Sequence, residues 1–171
     1  MTGRSKELGL GSLLVKDESR RFGLNAFKGL GASYAMACYF AGQLNMDMAE
    51  VRFDELLESV NKYPPETFVT ATEGNHGRGV AWATRIFNQN GKVFLPKGAA
   101  EVRVDAVTEL GAEAKVTDIN YDDTVQYAAD QSSGNGWILM QDTAWEGYEE
   151  IPTHIMQGYT CLLYTSPSPR D

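Results

Sequence analysis

From Gly29 to Met46 the chain carries no Asp, Glu, Lys or Arg, while Phe27, Leu30, Tyr34, Cys38 and Ala41 recur at the spacing of one helical face. The pattern predicts a buried helix, with Asn25 capping its start and Lys28 in its first turn. Downstream, a shorter helix is expected near 51–61, stopped by Pro64 and Pro65. Apolar runs of strand length then alternate with helical periods: strands at "TFVTAT" (67–72), "KVFLP" (92–96), "EAKVT" (113–117) and "WILMQ" (137–141), and helices near 76–88, 100–110 and 121–131. An earlier strand is expected in "SLLVKDES" (12–19). Such alternation predicts an α/β fold: an open parallel sheet with helices on both faces. Ligands of such sheets sit beyond the carboxyl ends of the strands, so the informative loops follow Lys16, Thr72, Pro96, Thr117 and Gln141. No internal repeat or low-complexity linker interrupts this order.

A lysine at the mouth of an uncharged helix is unusual. The positive end of the helix dipole and the desolvation expected beside apolar residues both disfavour an ammonium, so the Lys28 pKa is expected below about 10.4. A neutral amine is a nucleophile; the plainer alternative is a side chain bent into water.

The segment "TATEGNHGRGVAWA" (70–83) reads as strand, turn and helix, with Gly74 at the turn, Asn75 as helix cap, and Gly77 and Gly79 open to close approach. Free N–H groups there suit an anion or a phenolate oxygen. A dinucleotide site fits poorly: the glycine spacing differs, and the next strand ends "FLPKG" without an acidic residue for a ribose. Glu73 beside this turn and Asp142 after a later strand are two carboxylates able to exchange protons with a substrate or hold its amino group, although most such loop residues are simply solvated. His76 and His154 have no partner at triad or metal-ligand spacing, and His76 is expected to pack or cap.

A chain of 171 residues with 43% hydrophobic and 22% charged residues suits a globular domain. The net charge of −8, without basic clusters, argues against nucleic acid and anionic membrane as partners. The uncharged run to Met46 is long enough to raise the question of a membrane span, but its glycines, Ser33, Gln43 and Asn45 make it a poor one. Two cysteines, Cys38 and Cys161, give no disulfide framework, which with the lack of a secretory pattern suggests the cytoplasm.

Taken together, "VKDES.RFGLNAFKGLGA", "TEGNHGRGVAWA", "PKGAAEVRVDAVTELGAE", "DINYDDTV" and "QDTAWEGY..IPTHIMQGY" resemble the diaminopropionate ammonia-lyases, pyridoxal-phosphate-dependent enzymes of the tryptophan synthase β-like group, fold type II. The resemblance runs from Leu13 to Thr160. It implies that Lys28 is the lysine bonded to the cofactor aldehyde and that Asn75 hydrogen-bonds the oxygen on its pyridine ring. It further implies elimination from 2,3-diaminopropionate to pyruvate and ammonia, with Lys28 as base for the L-isomer, Glu73 as base on the opposite face for the D-isomer, and Asp142 near the substrate. The family has aspartate where this chain has Glu73, one methylene longer, which makes D-isomer turnover the less secure of the two. The alternatives are a threonine or serine dehydratase of the same fold and a non-catalytic nucleotide- or ligand-binding α/β module.

By this resemblance residues 1–160 are the N-terminal part of a catalytic region, mostly the smaller domain and its junctions, lacking the glycine-rich phosphate loop; the full-length enzyme is expected to be a homodimer. The last eleven residues, "CLLYTSPSPRD" (161–171), read as the translation of a transposase-based sequencing adapter and are expected to be non-native.

Overall fold

The computed structural model describes residues 3–164. After a short helix α1 (Gly3–Glu7) come α2 (Gly29–Gln43), α3 (Phe53–Val60), β1 (Thr67–Ala71), α4 (Asn75–Ile86), β2 (Asn90–Leu95), α5 (Glu101–Thr108), β3 (Glu113–Val116), α6 (Tyr121–Asn135), β4 (Ile138–Leu139), α7 (Glu150–Tyr159) and α8 (Cys161–Tyr164). The four strands are all parallel, in the order β3-β2-β1-β4. The chain therefore leaves β1 in one direction to build β2 and β3, then returns to its other side with β4. A crevice opens at such a reversal, beyond the carboxyl ends of β1 and β4.

Period-two alternation sends successive residues of β1 and β2 to opposite faces. On one face Phe68 joins Met36, Phe40, Leu56, Val80, Phe87 and Ile155 in the largest apolar cluster, supplied by α2, α3, α4 and α7, while Val93 and Leu95 pack on Ala81 and Val107. On the other, Val69, Ala71 and Phe94 meet Ala128 and Val125 of α6. Both faces are thus covered, and helix α2 is wedged between α4 and α7. Its glycines permit that approach: a Cβ at Gly158 would lie 2.9 Å from the Gly31 Cα. Five aromatic residues in and around this core, Tyr39, Phe40, Phe53, Phe68 and Phe87, make mutual ring contacts, among them Phe40 with Phe68 at 5.6 Å.

Three local expectations are corrected. Residues 12–18 form no strand; among the described residues no neighbouring strand lies beside them to complete their backbone hydrogen bonds, and Leu14 and Val15 are 78% and 81% exposed. Asn25 does not cap α2. It takes a left-handed φ of 53°, and the N-cap is Lys28 itself, with no side-chain cap. Asn75 is likewise the first residue of α4 rather than its cap; Gly74 holds that place in extended backbone (φ 179°). The true side-chain cap is Asn120, whose Oδ1 accepts from the Asp123 N–H at 2.9 Å at the start of α6. Of the expected adapter tail, residues 165–171 lie outside the described residues.

Candidate active site

Lys28 enters α2 directly beneath α4. A Cβ at Gly79 would stand 2.8 Å from both the carbonyl carbon and the oxygen of Lys28, so the bare backbone of α4 is what lets the lysine's main chain sit there. Gly79 thus does what its sequence context suggests, and the group it admits is the Lys28 peptide. From this root the Lys28 side chain reaches toward the crevice and donates from Nζ to Asp142 Oδ2 at 2.9 Å. Its amine also lies 5.6 Å from the Phe27 ring and 5.1 Å from the Tyr159 ring, both within cation–π range.

This neighbourhood reverses the expected protonation. Burial does press the Lys28 amine toward neutrality, but the hydrogen bond to Asp142 and the interaction with Tyr159 outweigh it, and its pKa is raised. Burial likewise pushes the Asp142 carboxyl up, and the hydrogen bond and charge of Lys28 act to bring it below its ordinary value. The two groups are an ion pair, with side chains 28% and 19% exposed.

Asp142 is positioned by an exchange of partners at the end of β4. Met140 N–H donates to Val69 O at 2.7 Å, and a regular parallel ladder would next send the Ala71 N–H to the Met140 carbonyl. Instead the Ala71 N–H donates to the side-chain oxygen of Gln141 at 3.1 Å, joined there by the Thr70 hydroxyl at 3.0 Å. The Met140 carbonyl is thereby free to accept from His76 Nε2 at 2.7 Å. Tyr148 completes the corner: its hydroxyl accepts from the Gln141 N–H at 2.8 Å and donates to Leu139 O at 2.9 Å.

Because a carbonyl can only accept, His76 carries its proton on Nε2, leaving Nδ1 as a bare acceptor in the neutral ring. Nδ1 stands 3.5 Å from Asp142 Oδ2 without forming a hydrogen bond. Burial lowers the His76 pKa and resists the imidazolium that would pair there, so Asp142 turns to Lys28. His76 is 5% exposed and packs, as its lack of sequence partners suggested.

Lys28, Thr72, Glu73, Gly74, Asn75, His76, Tyr121 and Asp142 line one open cavity of about 310 Å³. All four sequence-predicted residues, Lys28, Glu73, Asn75 and Asp142, therefore meet in one place. Glu73 is on the rim, its backbone carbonyl held by Arg103, and Asn75 lines the cavity at the start of α4 without serving as a cap. Sequence reasoning missed Tyr121, whose hydroxyl accepts from Gln141 Nε2 at 3.3 Å and whose pKa is raised by burial and by Asp142. Its one signal was its place at the start of the helix that follows β3.

An amine, a free carboxamide and two carboxylates around a strand-end cavity are a donor set suited to an aldehyde cofactor carrying a ring hydroxyl. The chain matches the family described as pyridoxal-phosphate dependent enzyme over residues 1–161. It belongs to that family. Among curated proteins of this family it is 51% identical over 154 residues to the diaminopropionate ammonia-lyase of Escherichia coli K12, a match covering 90% of this chain and 38% of the relative. A crystal structure of the Escherichia coli enzyme in complex with an aminoacrylate–PLP azomethine reaction intermediate superposes with a TM-score of 0.79 at 51% identity, covering 88% of this chain and 37% of that one. The biosynthetic L-threonine dehydratase of Salmonella typhimurium is more distant, 32% identical over 72 residues, 41% of this chain and 14% of the relative. The chain thus spans about two fifths of the length of the lyases it matches. Among the described residues no helix is long and apolar enough to cross a membrane.

Proposed function

We propose that this chain carries the lysine side of the active site of an ammonia-lyase acting on 2,3-diaminopropionate. The observation that carries the reading is the convergence of Lys28, Asn75, Glu73 and Asp142 on one cavity, in a chain 51% identical to such a lyase. The reaction consumes one water and gives pyruvate and two ammonia. Lys28 would hold the cofactor aldehyde and Asn75 would donate to its ring oxygen; bound there, pyridoxal phosphate supplies an electron sink for the carbanion left when Cα loses its proton. The chain's own residues divide the remaining work. Lys28 receives the proton from the L-isomer on its side of the substrate, Glu73 receives it from the D-isomer on the other, and Asp142 holds the substrate amino group. The Asp142 carboxylate is already charged at neutral pH and already binds an ammonium, that of Lys28.

A small amino acid is the substrate class this cavity suits, and solved relatives are described in complex with D-serine and with an aminoacrylate–PLP species. The cytoplasm and a homodimeric assembly belong to the same reading by resemblance, as does an adapter origin for residues 161–171, which resequencing the source DNA decides. Borohydride trapping with pyridoxal phosphate in a polypeptide of the relatives' length tests the site: a reduced pyridoxyl adduct on Lys28 supports it, and no adduct favours the non-catalytic binding module. Assays on diaminopropionate and threonine then separate lyase from dehydratase.

A further inference from the structure

Tyr159 closes α7 against the root of Lys28, and no sequence signal assigns it a task. Its ring occupies the space that a side chain at Gly31 would need, since a Cβ there would meet Tyr159 Cζ at 2.8 Å and Ile155 Cγ2 at 2.8 Å. The ring stands edge-on to Phe27 with centroids 5.2 Å apart and presents its face to the Lys28 amine at 5.1 Å. Its hydroxyl is buried and makes no hydrogen bond among the described residues. A buried phenol without a partner is costly, and the cation beside it is Lys28, which has three N–H donors and gives one to Asp142.

We propose that Tyr159 is a positioning residue for Lys28: its hydroxyl oxygen is a second acceptor, beside Asp142, for the protonated amine. Asp142 would hold the ammonium from the end of β4 and Tyr159 from the end of α7, fixing where the amine rests whenever it is not bonded to the cofactor. The pKa directions agree. Burial raises the Tyr159 phenol while Lys28 draws it down, and the phenol in turn helps raise Lys28. The other groups facing the amine or its cavity are His76 from α4, Glu73 and Asn75 from the β1–α4 turn, Tyr121 from α6 and the Phe27 ring. None of them fills the position that Tyr159 occupies. The inference rests on Lys28 being the functional amine, but its test does not require the cofactor.

The experiment is a titration of Lys28 in the 171-residue chain by carbon-13 NMR on protein labelled at the lysine ε-carbon, which leaves the amine unmodified, the signal being assigned by its loss in Lys28→Met. Tyr159→Phe keeps the ring and its cation–π contact and removes only the hydroxyl. The expected result is a fall of about one pH unit in the Lys28 midpoint, a tenfold loss of proton affinity. Ile155→Val serves as control, loosening the same helix contact while leaving the midpoint in place. A Tyr159→Phe midpoint equal to the parent's, or a shift of the same size in Ile155→Val, overturns the proposal. Borohydride trapping in a polypeptide of the relatives' length keeps the two readings apart: failure of that parent to load pyridoxal phosphate counts against the enzyme reading, whereas an unchanged midpoint with normal loading counts against Tyr159 alone.

Discussion

Lys28 and Asp142 are separated by 114 positions in sequence and by 2.9 Å in space. The lysine's place at a helix mouth was legible from the uncharged run behind it; its charge was not, because the partner that decides it arrives from the other end of the sheet. The consequence for stability has a definite sign. The Asp142 carboxyl is held low, so its contribution is complete above the unfolded carboxylate range and disappears as pH falls through the folded value. The Lys28 amine is held high, so its contribution is complete below the unfolded amine range and disappears as pH rises through the folded value. Between about pH 5 and about pH 9 the pair is intact. Asp142→Asn is expected to lower urea-unfolding stability by about 1 kcal/mol at pH 7, with the gap to the parent closing in acid, where both side chains are uncharged. Glu73 raises a finer question, since its extra methylene displaces a carboxylate on the cavity rim. A misplacement near 1 Å can cost about a hundredfold, so in a polypeptide of the relatives' length Glu73→Asp is expected to raise D-isomer turnover and leave L-isomer turnover unchanged in a pyruvate-release assay.

Among the elements, those with a strong period and a partner nearby were the legible ones. β1 to β3 and α3 to α5 begin and end within about three residues of their expected bounds, an ordinary margin for helix and strand ends. The lost strand at residues 12–18 had the right local pattern but no neighbour to pair with, and pairing is a property of the sheet rather than of the segment. The caps failed for a related reason. Asn25 and Asn75 stand where caps usually stand, yet Asn25 is turned into the left-handed region and Asn75 lines the cavity, while Asn120 caps α6 without having been expected to. Asn120→Ala should therefore lower thermal stability by about 1 kcal/mol, read from the unfolding midpoint. Gly79→Ala should cost more, about 1–3 kcal/mol, because the added methyl meets the Lys28 backbone and has no flexible neighbour to displace. The same variant should weaken trapping of pyridoxal phosphate, since α4 and the root of Lys28 must part to admit it.

Across the whole molecule, several large apolar side chains stand in solvent. Leu13, Leu14, Val15, Phe22 and Phe53 are exposed, and Phe22, in left-handed backbone, is stacked on Trp82 at 4.4 Å. Apolar surface of this kind usually meets another surface. The 171 residues alone are expected to bind an environment-sensitive hydrophobic dye, to lose part of that signal in Leu14→Glu with Val15→Glu, and to release little or no pyruvate from diaminopropionate; brisk release would overturn the last expectation. The two-residue β4 would by itself be a weak edge to such a molecule. The Gln141 carboxamide, by standing in for a main-chain carbonyl, extends its pairing beyond the last strand residue. In deuterium oxide, the Ala71 and Gln141 amide protons should then persist as long as those of β1 itself, and Gln141→Leu should release the Ala71 proton first, unzipping the sheet from the carboxyl ends of its strands.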